Sequence, residues 1–383
     1  MRGAPGAGSG GPVRRYPRAR PVTRLRIVNL NTWIGVLVKS VLKVTSIEPP
    51  GHKRQRFDAL VAELRERAPD VVTLQECTPL PGFAQSLADA LGYDLYWRVG
   101  NSGLRLFQVG LPWGIGRGEG LATLARKDLR LRHVANRRLS GKGLVKNWVA
   151  VQTGPVRVAT ACRVSVGERP VVVVNTHVRY GFPNPDAFWE GWRTLRERGV
   201  VAQDEPPSWL LKLLHDNRTQ RDLELERLAT WALELQRAEG APLVLGVDFN
   251  LDPDAPQVAR FLDETGYTNV LPRFAPGALT WDPATNYNVG LGTSYTWADG
   301  SPKSMILQLM AYLDRIPQTP DHVVCSPGLT PVAGGVAFAE PRGGILASDH
   351  YGVWADLELD VALPALPAPP TGATHRPGAA SPP

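Results

Sequence analysis

The chain has 383 residues, 43% of them hydrophobic, with three cysteines and a formal net charge of +7. That is the balance of a soluble globular protein with room for one large core, and it excludes a disulfide framework, because Cys77, Cys162 and Cys325 are sparse and lack metal-type spacing. Seven arginines and no acid fall within residues 1–26, so the remaining 36 basic and 36 acidic residues balance and the body is neutral.

The Gly-, Pro- and Arg-rich start, residues 1–23, and the Pro-rich tail, residues 362–383, are expected to be disordered. The start has no apolar core after its charges and is not a secretory signal, which with the unpaired cysteines points to a cytoplasmic setting. No transmembrane segment is expected: Ile34–Ile47, the longest apolar-rich stretch near the start, is short and broken by Lys39, Ser40 and Lys43.

A first strand is read over Leu25–Leu30, ending in Asn31. Ile34, Leu37, Val38, Val41, Leu42 and Thr45 fall at helical spacing and predict a packed helix or loop, or an amphipathic rim in peripheral contact with a membrane. Gln55–Ala68 reads as a helix stopped by Pro69, and Val71–Leu74 as a buried strand ending in Gln75-Glu76. A helix over residues 83–92 and a strand over Tyr93–Arg98 follow. Gly114–Arg126 fits no clean GxGxxG, and its Leu121, Thr123 and Leu124 read as a strand, so a dinucleotide fold is discarded. Arg126–Lys146 is strongly basic, with only Asp128 against it; a solvated charged face or a phosphate-tracking strip both account for it.

Strands are expected at Leu144–Gln152, Val156–Ala161 and Val171–Val174, the last ending in Asn175-Thr176-His177. Residues 182–214, with Trp189, Trp192 and Trp209 among leucines, read as an insertion with a local core, or a lid or lipid contact. A long helix over Asn217–Glu239 delivers the chain to Pro242–Asn250, PLVLGVDFN. There alternation turns Asp248 and Asn250 to one side and Phe249 into the core. Phe261–Thr265 and a turn-rich segment follow, then the strand Asp321–Cys325 headed by an acid, then Asp349-His350 leading into Tyr351–Leu359.

Taken singly, each polar strand end is ordinary turn chemistry. Taken together, Asn31, Glu76, His177, Asp248, Asn250, Asp321, Asp349 and His350 all stand at strand ends. Carboxylates converging in one cleft repel unless a cation intervenes. Oxygen ligands without a cysteine pair favour a hard cation, Mg²⁺ or Mn²⁺, over zinc.

The segments LNTW, PDVVTLQE, VVNTH, GVDFN, PDHVV and SDHYGV, in this order over residues 25–359, resemble the endonuclease/exonuclease/phosphatase superfamily, the deoxyribonuclease I-like group. The resemblance implies an α/β (α+β) fold, a four-layer sandwich of two mixed β-sheets flanked by helices, in a single catalytic domain over residues 24–361. It also implies divalent-metal-dependent hydrolysis of a phosphoester, most simply a phosphodiester. By position, Glu76 looks like the principal metal ligand with Asn31 and Asp349 beside it. His350 looks like the general base or phosphate-contacting histidine, paired with Asp321, although QTPDHVV departs from the family's usual residues before that acid. Asp248 and Asn250 look like the pair that orients water and phosphate, and His177 like a second histidine near the leaving group. LNTW, SGKG, TWDPATN and SDHYGV look most like the sphingomyelinase and phospholipase C-like branch, implying a phospholipid substrate. A nuclease on DNA or RNA, using Arg126–Lys146, is the alternative nucleic-acid reading, and a non-catalytic binding module of the same fold a third.

Overall fold

The computed structural model describes residues 24–360 apart from 41–42, 47, 102–103, 107–108, 111–117, 153–155, 182–184 and 298, so both expected disordered tails lie outside the described residues. Two six-stranded mixed sheets form its centre. The first runs, in spatial order, Leu329–Ala337, Gly352–Leu359, Arg24–Asn31, Val71–Cys77, Glu119–Arg126 and Tyr93–Asn101; the second runs Thr268–Asn269, Asp321–Cys325, Leu243–Asp248, Arg169–His177, Arg157–Val166 and Arg132–Ser140. Each sheet has one parallel pair at its middle, Arg24–Asn31 with Val71–Cys77 and Arg169–His177 with Leu243–Asp248, and antiparallel pairs elsewhere. The two sheets thus repeat one strand-pairing plan, although the first draws Leu329–Ala337 and Gly352–Leu359 from the end of the chain.

Layering follows from which faces are apolar. Alternation puts Leu25, Ile27, Val71, Val171, Val173, Val244, Val323, Ala355 and Leu357 between the sheets in one buried cluster. The outer face of the first sheet packs on the helices His52–Arg67 and Gly82–Leu91 through Leu60, Leu64, Val72, Leu74 and Leu87. The outer face of the second meets the helices Ser208–Glu239 and Pro256–Thr265 through Val172, Val174, Leu225, Leu228, Leu245 and Phe261. This is the four-layer sandwich expected from the sequence. Among the described residues no helix is long and apolar enough to cross a membrane.

Several boundaries differ from the sequence reading. Among the described residues of Ile34–Ile47 there is no helix: Val36–Ser40 and Lys43–Ser46 pair as antiparallel strands. The stretch is rich in β-branched residues, and Gly35 at φ 67 turns the chain before it, so the helical spacing was coincidental. Leu144–Gln152 is two short strands, Leu144–Val145 and Val149–Val151, folded back on each other at Asn147, whose side chain accepts from Val99 N and donates to Trp97 O. The long helix starts at Ser208 and absorbs the end of the expected insertion. Its first turns, the helix Pro185–Glu197 and the helix Met305–Leu313 enclose Phe188, Trp192, Leu195, Leu210 and Leu309, a local core as expected.

Along the strands the inter-sheet layer changes from apolar to polar. Above Ile27, Val71, Val173 and Val244 come Asn29, Thr73, Asn175 and Gly246. Asn29 Oδ1 accepts from Thr73 Oγ1 and Gln75 Nε2, and Gln75 Nε2 also reaches Asn175 Oδ1 in the other sheet at 2.8 Å. Asn29 Nδ2 donates to Val247 O, and Asn175 Nδ2 to Leu74 O and Ala122 O, so both asparagines cross the interface. The sheets approach so closely here that a Cβ on Gly246 would lie 1.9 Å from Thr73 Oγ1 and 2.8 Å from Asn29 Oδ1. Gly246→Ala is therefore expected to destabilise the fold by roughly 1–3 kcal/mol, the usual range for overpacking. Urea unfolding measures it, and an unchanged midpoint would contradict this packing.

Candidate active site

Register carries every polar strand end to the same rim. Asn31 pairs with Gln75, and His177, Asp248 and Asp321 stand in one row across three neighbouring strands. Asp349 and His350 immediately precede Gly352–Leu359, which runs antiparallel beside Arg24–Asn31. The backbone bends sharply at this rim: Trp33, Glu76 and Asn250 all adopt left-handed conformations with φ of 57, 54 and 54. Such conformations are costly for non-glycine residues and persist where surrounding contacts impose them. Glu76 also sits where pairing with Glu119–Arg126 shifts register between Leu74 and Cys77, a bulge that re-aims its side chain.

The result is a cleft of about 910 Å³ including its open mouth, lined by Asn31, Glu76, His177, Asp248, Asn250, Asp349 and His350. Asp321 lies behind it, fully buried, with Oδ2 2.8 Å from His350 Nδ1 and, among the described residues, no hydrogen-bond partner for Oδ1. All eight expected residues are brought together, and the Asp321–His350 pair forms despite its unusual flanking sequence. Asp248 is the hub. Its Oδ2 accepts from Asn31 Nδ2 at 2.9 Å and lies 3.4 Å from His177 Nε2, while its Oδ1 accepts from Asn250 N. Asn250 Nδ2 bonds His177 Nε2 and Val178 O, which fixes the amide against the row. Phe249 turns back against Phe261, as the alternation required.

The "Endonuclease/Exonuclease/phosphatase family" description matches residues 30–350 of the chain. The chain belongs to this family. Solved structures of similar fold include truncated TDP2 of Caenorhabditis elegans (TM-score 0.52, 16% identity, covering 88% of this chain and 98% of that one). Others are D. rerio TDP2 complexed with single strand DNA product (0.51, 17%, 88% and 99%) and the human Nocturnin catalytic domain with bound sulfate anion (0.52, 14%, 88% and 95%). No curated protein matches the chain. Membership makes the chain a metal-dependent phosphoester hydrolase.

Electrostatics divide this phosphoesterase cleft into two groups. Around Glu76, burial lifts the carboxyls of Asp349 and Glu119 to about 7, and the charge of Glu76 adds to each. On the other side, burial and then Asp321 lift Asp248 to about 7. Burial opposes a charge on His350, yet Asp321, its hydrogen bond, Asp349 and Asp248 together raise its pKa well above the ordinary value. His177 is driven the other way, by burial first and then by Arg157 and His350, and is neutral. A hard divalent cation fits the first group: its donors are oxygens only, and its carboxylates repel one another without a positive charge between them. Glu76 Oε2 accepts one bond, from Ile34 N, and Asn31 Oδ1 one, from Trp33 N. A second set of candidate ligand atoms, on Asp248, Asp321 and His350, lies mutually within 4.8 Å, but its histidine is already bound to Asp321.

Other residues of the site carried no motif. Glu119 stands at the start of a strand that the sequence reading placed correctly, with Asn101 donating to its carboxylate. Arg157 lines the cleft with His177, and Tyr180, Trp281 and Asp314 line it too, Trp281 against His350. Arg56, buried, donates to Thr32 O, Trp33 O and Ala347 O and so ties the Asn31 and Asp349 loops together. Asn286, within TWDPATN, donates to Ser348 O and Asp349 O and braces the same loop.

A pH dependence follows. Asp349, Asp248 and Glu119 titrate near 7 in the folded chain against about 4 unfolded. Between those values the folded chain holds protons that the unfolded chain has released. These groups therefore favour folding fully below about pH 4, and that advantage is lost as pH rises through about 7. A divalent cation takes the protons' place and needs the ionised forms. Mg²⁺ added to chelator-treated protein should raise Tm more at pH 8 than at pH 5.5; an equal or reversed gain would refute the carboxylate assignment.

Proposed function

We propose that this cleft hydrolyses phosphodiesters by in-line attack of water, with Asp248 and Asn250 aiming the water and His350 contacting the phosphate. The observation that carries the reading is the pairing, in one cleft, of an oxygen-only acidic group with a second group centred on a histidine bound to a buried aspartate. Glu76, with Asn31 and Asp349 beside it, would hold Mg²⁺ or Mn²⁺, which when bound supplies Lewis-acid neutralisation of a non-bridging oxygen. The surroundings of His350 favour the second of its expected roles. Held positive by Asp321 it is a hydrogen-bond donor to a phosphate oxygen, and the proton leaving water goes to the Asp248 carboxylate, kept basic by burial. His177 orients Asp248 and Asn250 and faces the leaving-group side; Arg157 offers the phosphate a further positive charge. As the water oxygen bonds to phosphorus, the ester oxygen departs as an alkoxide.

The favoured substrate is a phospholipid. Trp209, Leu211 and Leu213 at the start of the helix Ser208–Glu239 are exposed, as is Trp189, and the hairpin around Asn147, which carries the exposed Lys142 and Lys146, also exposes Leu144, Trp148 and Val151. Aromatic and aliphatic side chains beside lysines suit a lipid interface. A nuclease is the second reading: Arg132, Arg137 and Arg138 are exposed on the edge strand Arg132–Ser140, and D. rerio TDP2, crystallised with a single strand DNA product, shares the fold.

Glu76→Gln and His350→Gln are each expected to lower kcat on bis(p-nitrophenyl)phosphate by roughly 100-fold or more, with folding preserved by circular dichroism. Undiminished turnover in either variant would remove that residue from the reaction. Side by side, phospholipid vesicles should be cleaved faster than plasmid DNA; cleavage of DNA alone would replace the lipid reading with the nuclease one.

A further inference from the structure

The row of His177, Asp248 and Asn250 is gripped from behind by one helix. In Ser208–Glu239 the side chains of Arg221 and Glu224, one turn apart, share an inward face and are both buried. Glu224 Oε2 accepts from Arg179 N at 2.7 Å, and its Oε1 accepts from Ser140 Oγ. Arg221 Nη1 donates to Gly181 O at 2.8 Å and to Asn250 O at 3.3 Å. These two carbonyls lie just beyond the ends of neighbouring parallel strands, Gly181 after Arg169–His177 and Asn250 after Leu243–Asp248. Arg221 therefore bridges the loops whose strands present His177 and Asp248. Burial lowers its pKa to about 10, which leaves the guanidinium charged at neutral pH, so both bonds are charge-assisted. The fit is tight: a Cβ on Gly181 would lie 3.2 Å from Nη1 and 3.3 Å from Cζ of Arg221. Asn250 itself has φ 54. Its N is tied to Asp248 Oδ1, its Nδ2 to His177 Nε2 and Val178 O, and its O to Arg221. The first three ties lie within the row; the last comes from another layer of the fold.

We propose that Arg221 is a positioning residue for the reaction: by bridging Gly181 O and Asn250 O it holds the Asn250 amide where it meets His177 and the phosphate. The proposal rests on the phosphodiesterase reading, which gives Asn250 the task of aiming water and phosphate, and adds the group that keeps it there. A left-handed backbone is costly for a residue with a side chain and persists where its surroundings impose it. Without the bond to its carbonyl, the turn after Asp248 relaxes toward an ordinary conformation. That relaxation swings Nδ2 away from His177 Nε2, now 3.0 Å from it. Arg221 lies behind the cleft and not in its lining, so it acts on the substrate only through Asn250 and the Gly181 loop. Its bonds are all to segments that leave the second sheet, whereas Asn31 and Glu76 end strands of the first. Loss of the bridge therefore disturbs the phosphate side of the cleft and spares the cation side.

The test uses the Mg²⁺-loaded full chain and its Arg221→Met, Arg221→Lys and Gly181→Ala variants, each alone and combined with Asn250→Gly, which tolerates the left-handed backbone but removes the amide. On bis(p-nitrophenyl)phosphate, Arg221→Met should lower kcat by roughly tenfold or more with little change in KM. In the Asn250→Gly background the same change should cost less than about twofold, because the amide that it positions is gone. Arg221→Lys, which keeps a charged donor on a shorter stem, should recover part of the loss. Gly181→Ala crowds the guanidinium from the other side and should show the same dependence on Asn250, which keeps the test intact if Arg221→Met fails to fold. Mn²⁺ affinity by titration calorimetry should stay within about twofold in the Arg221 and Gly181 variants. In the same variants the Nε2 nitrogen resonance of His177 should move toward its position in Asn250→Gly. Losses that multiply in the double variants, a His177 resonance that stays in place, or Mn²⁺ binding weakened as much as kcat would overturn the proposal. Absence of turnover in the unmodified chain would count against the phosphodiesterase reading instead, and the His177 resonance would still decide the role of Arg221.

Discussion

Everything at the rim depends on the amide layer that joins the two sheets. Gln75 donates at once to Asn29 in its own sheet and to Asn175 in the other, and Asn175 returns two bonds to backbone carbonyls of the first sheet. In a buried interface these bonds are directional where hydrophobic contacts are not, so they set the register of one sheet against the other. Asn31 and Glu76 come from the first sheet, and His177, Asp248 and Asp321 from the second. A slip between the sheets would separate Asn31 from Asp248, which now lie 2.9 Å apart. The polar layer also grades the interior, from aliphatic through amide to charged, so that carboxylates are reached only where the strands end.

That grading explains the electrostatics. The cleft gathers more buried negative charge than one imidazolium and one guanidinium offset, and burial raises the carboxyl pKa values instead. His350 and His177 show how placement divides two identical side chains. One is held charged by the aspartate behind it; the other is kept neutral by burial and neighbouring positive charge. A phosphoesterase needs both a fixed positive donor and a site for a cation; in the proposed reading His350 supplies the first and the carboxylates around Glu76 the second.

Much of this was legible in the sequence because strand alternation forces it. An apolar run ending in a polar residue places that residue at a sheet edge, and Asn31, Glu76, His177, Asp248 and Asp321 all obeyed. The helices Gln55–Ala68, 83–92 and Asn217–Glu239 followed from helical periodicity, whereas the four-layer α/β sandwich followed from the resemblance and the helix Pro256–Thr265 went unread. Ile34–Ile47 misled because its apolar residues satisfy helical spacing while their β-branching favours strands. Arg132–Ser140 went unread as a strand because an exposed edge tolerates charges and shows no alternation. Glu119, Arg157, Tyr180 and Asp314 were invisible as site residues. They come from strand starts and connecting segments, and only packing of distant segments brings them to the cleft. Arg56, on the helix His52–Arg67, carries no motif, yet it holds the Asn31 and Asp349 loops together.

The central claim is that the cation belongs to the Glu76 side and the phosphate to the His350 side. The direct measurement is anomalous diffraction from crystals soaked with Mn²⁺ and inorganic phosphate. A manganese peak bonded to Glu76, with phosphate between it and His350, is the predicted result. A peak seated instead among Asp248, Asp321 and His350, or a phosphate that does not touch His350, would contradict the account.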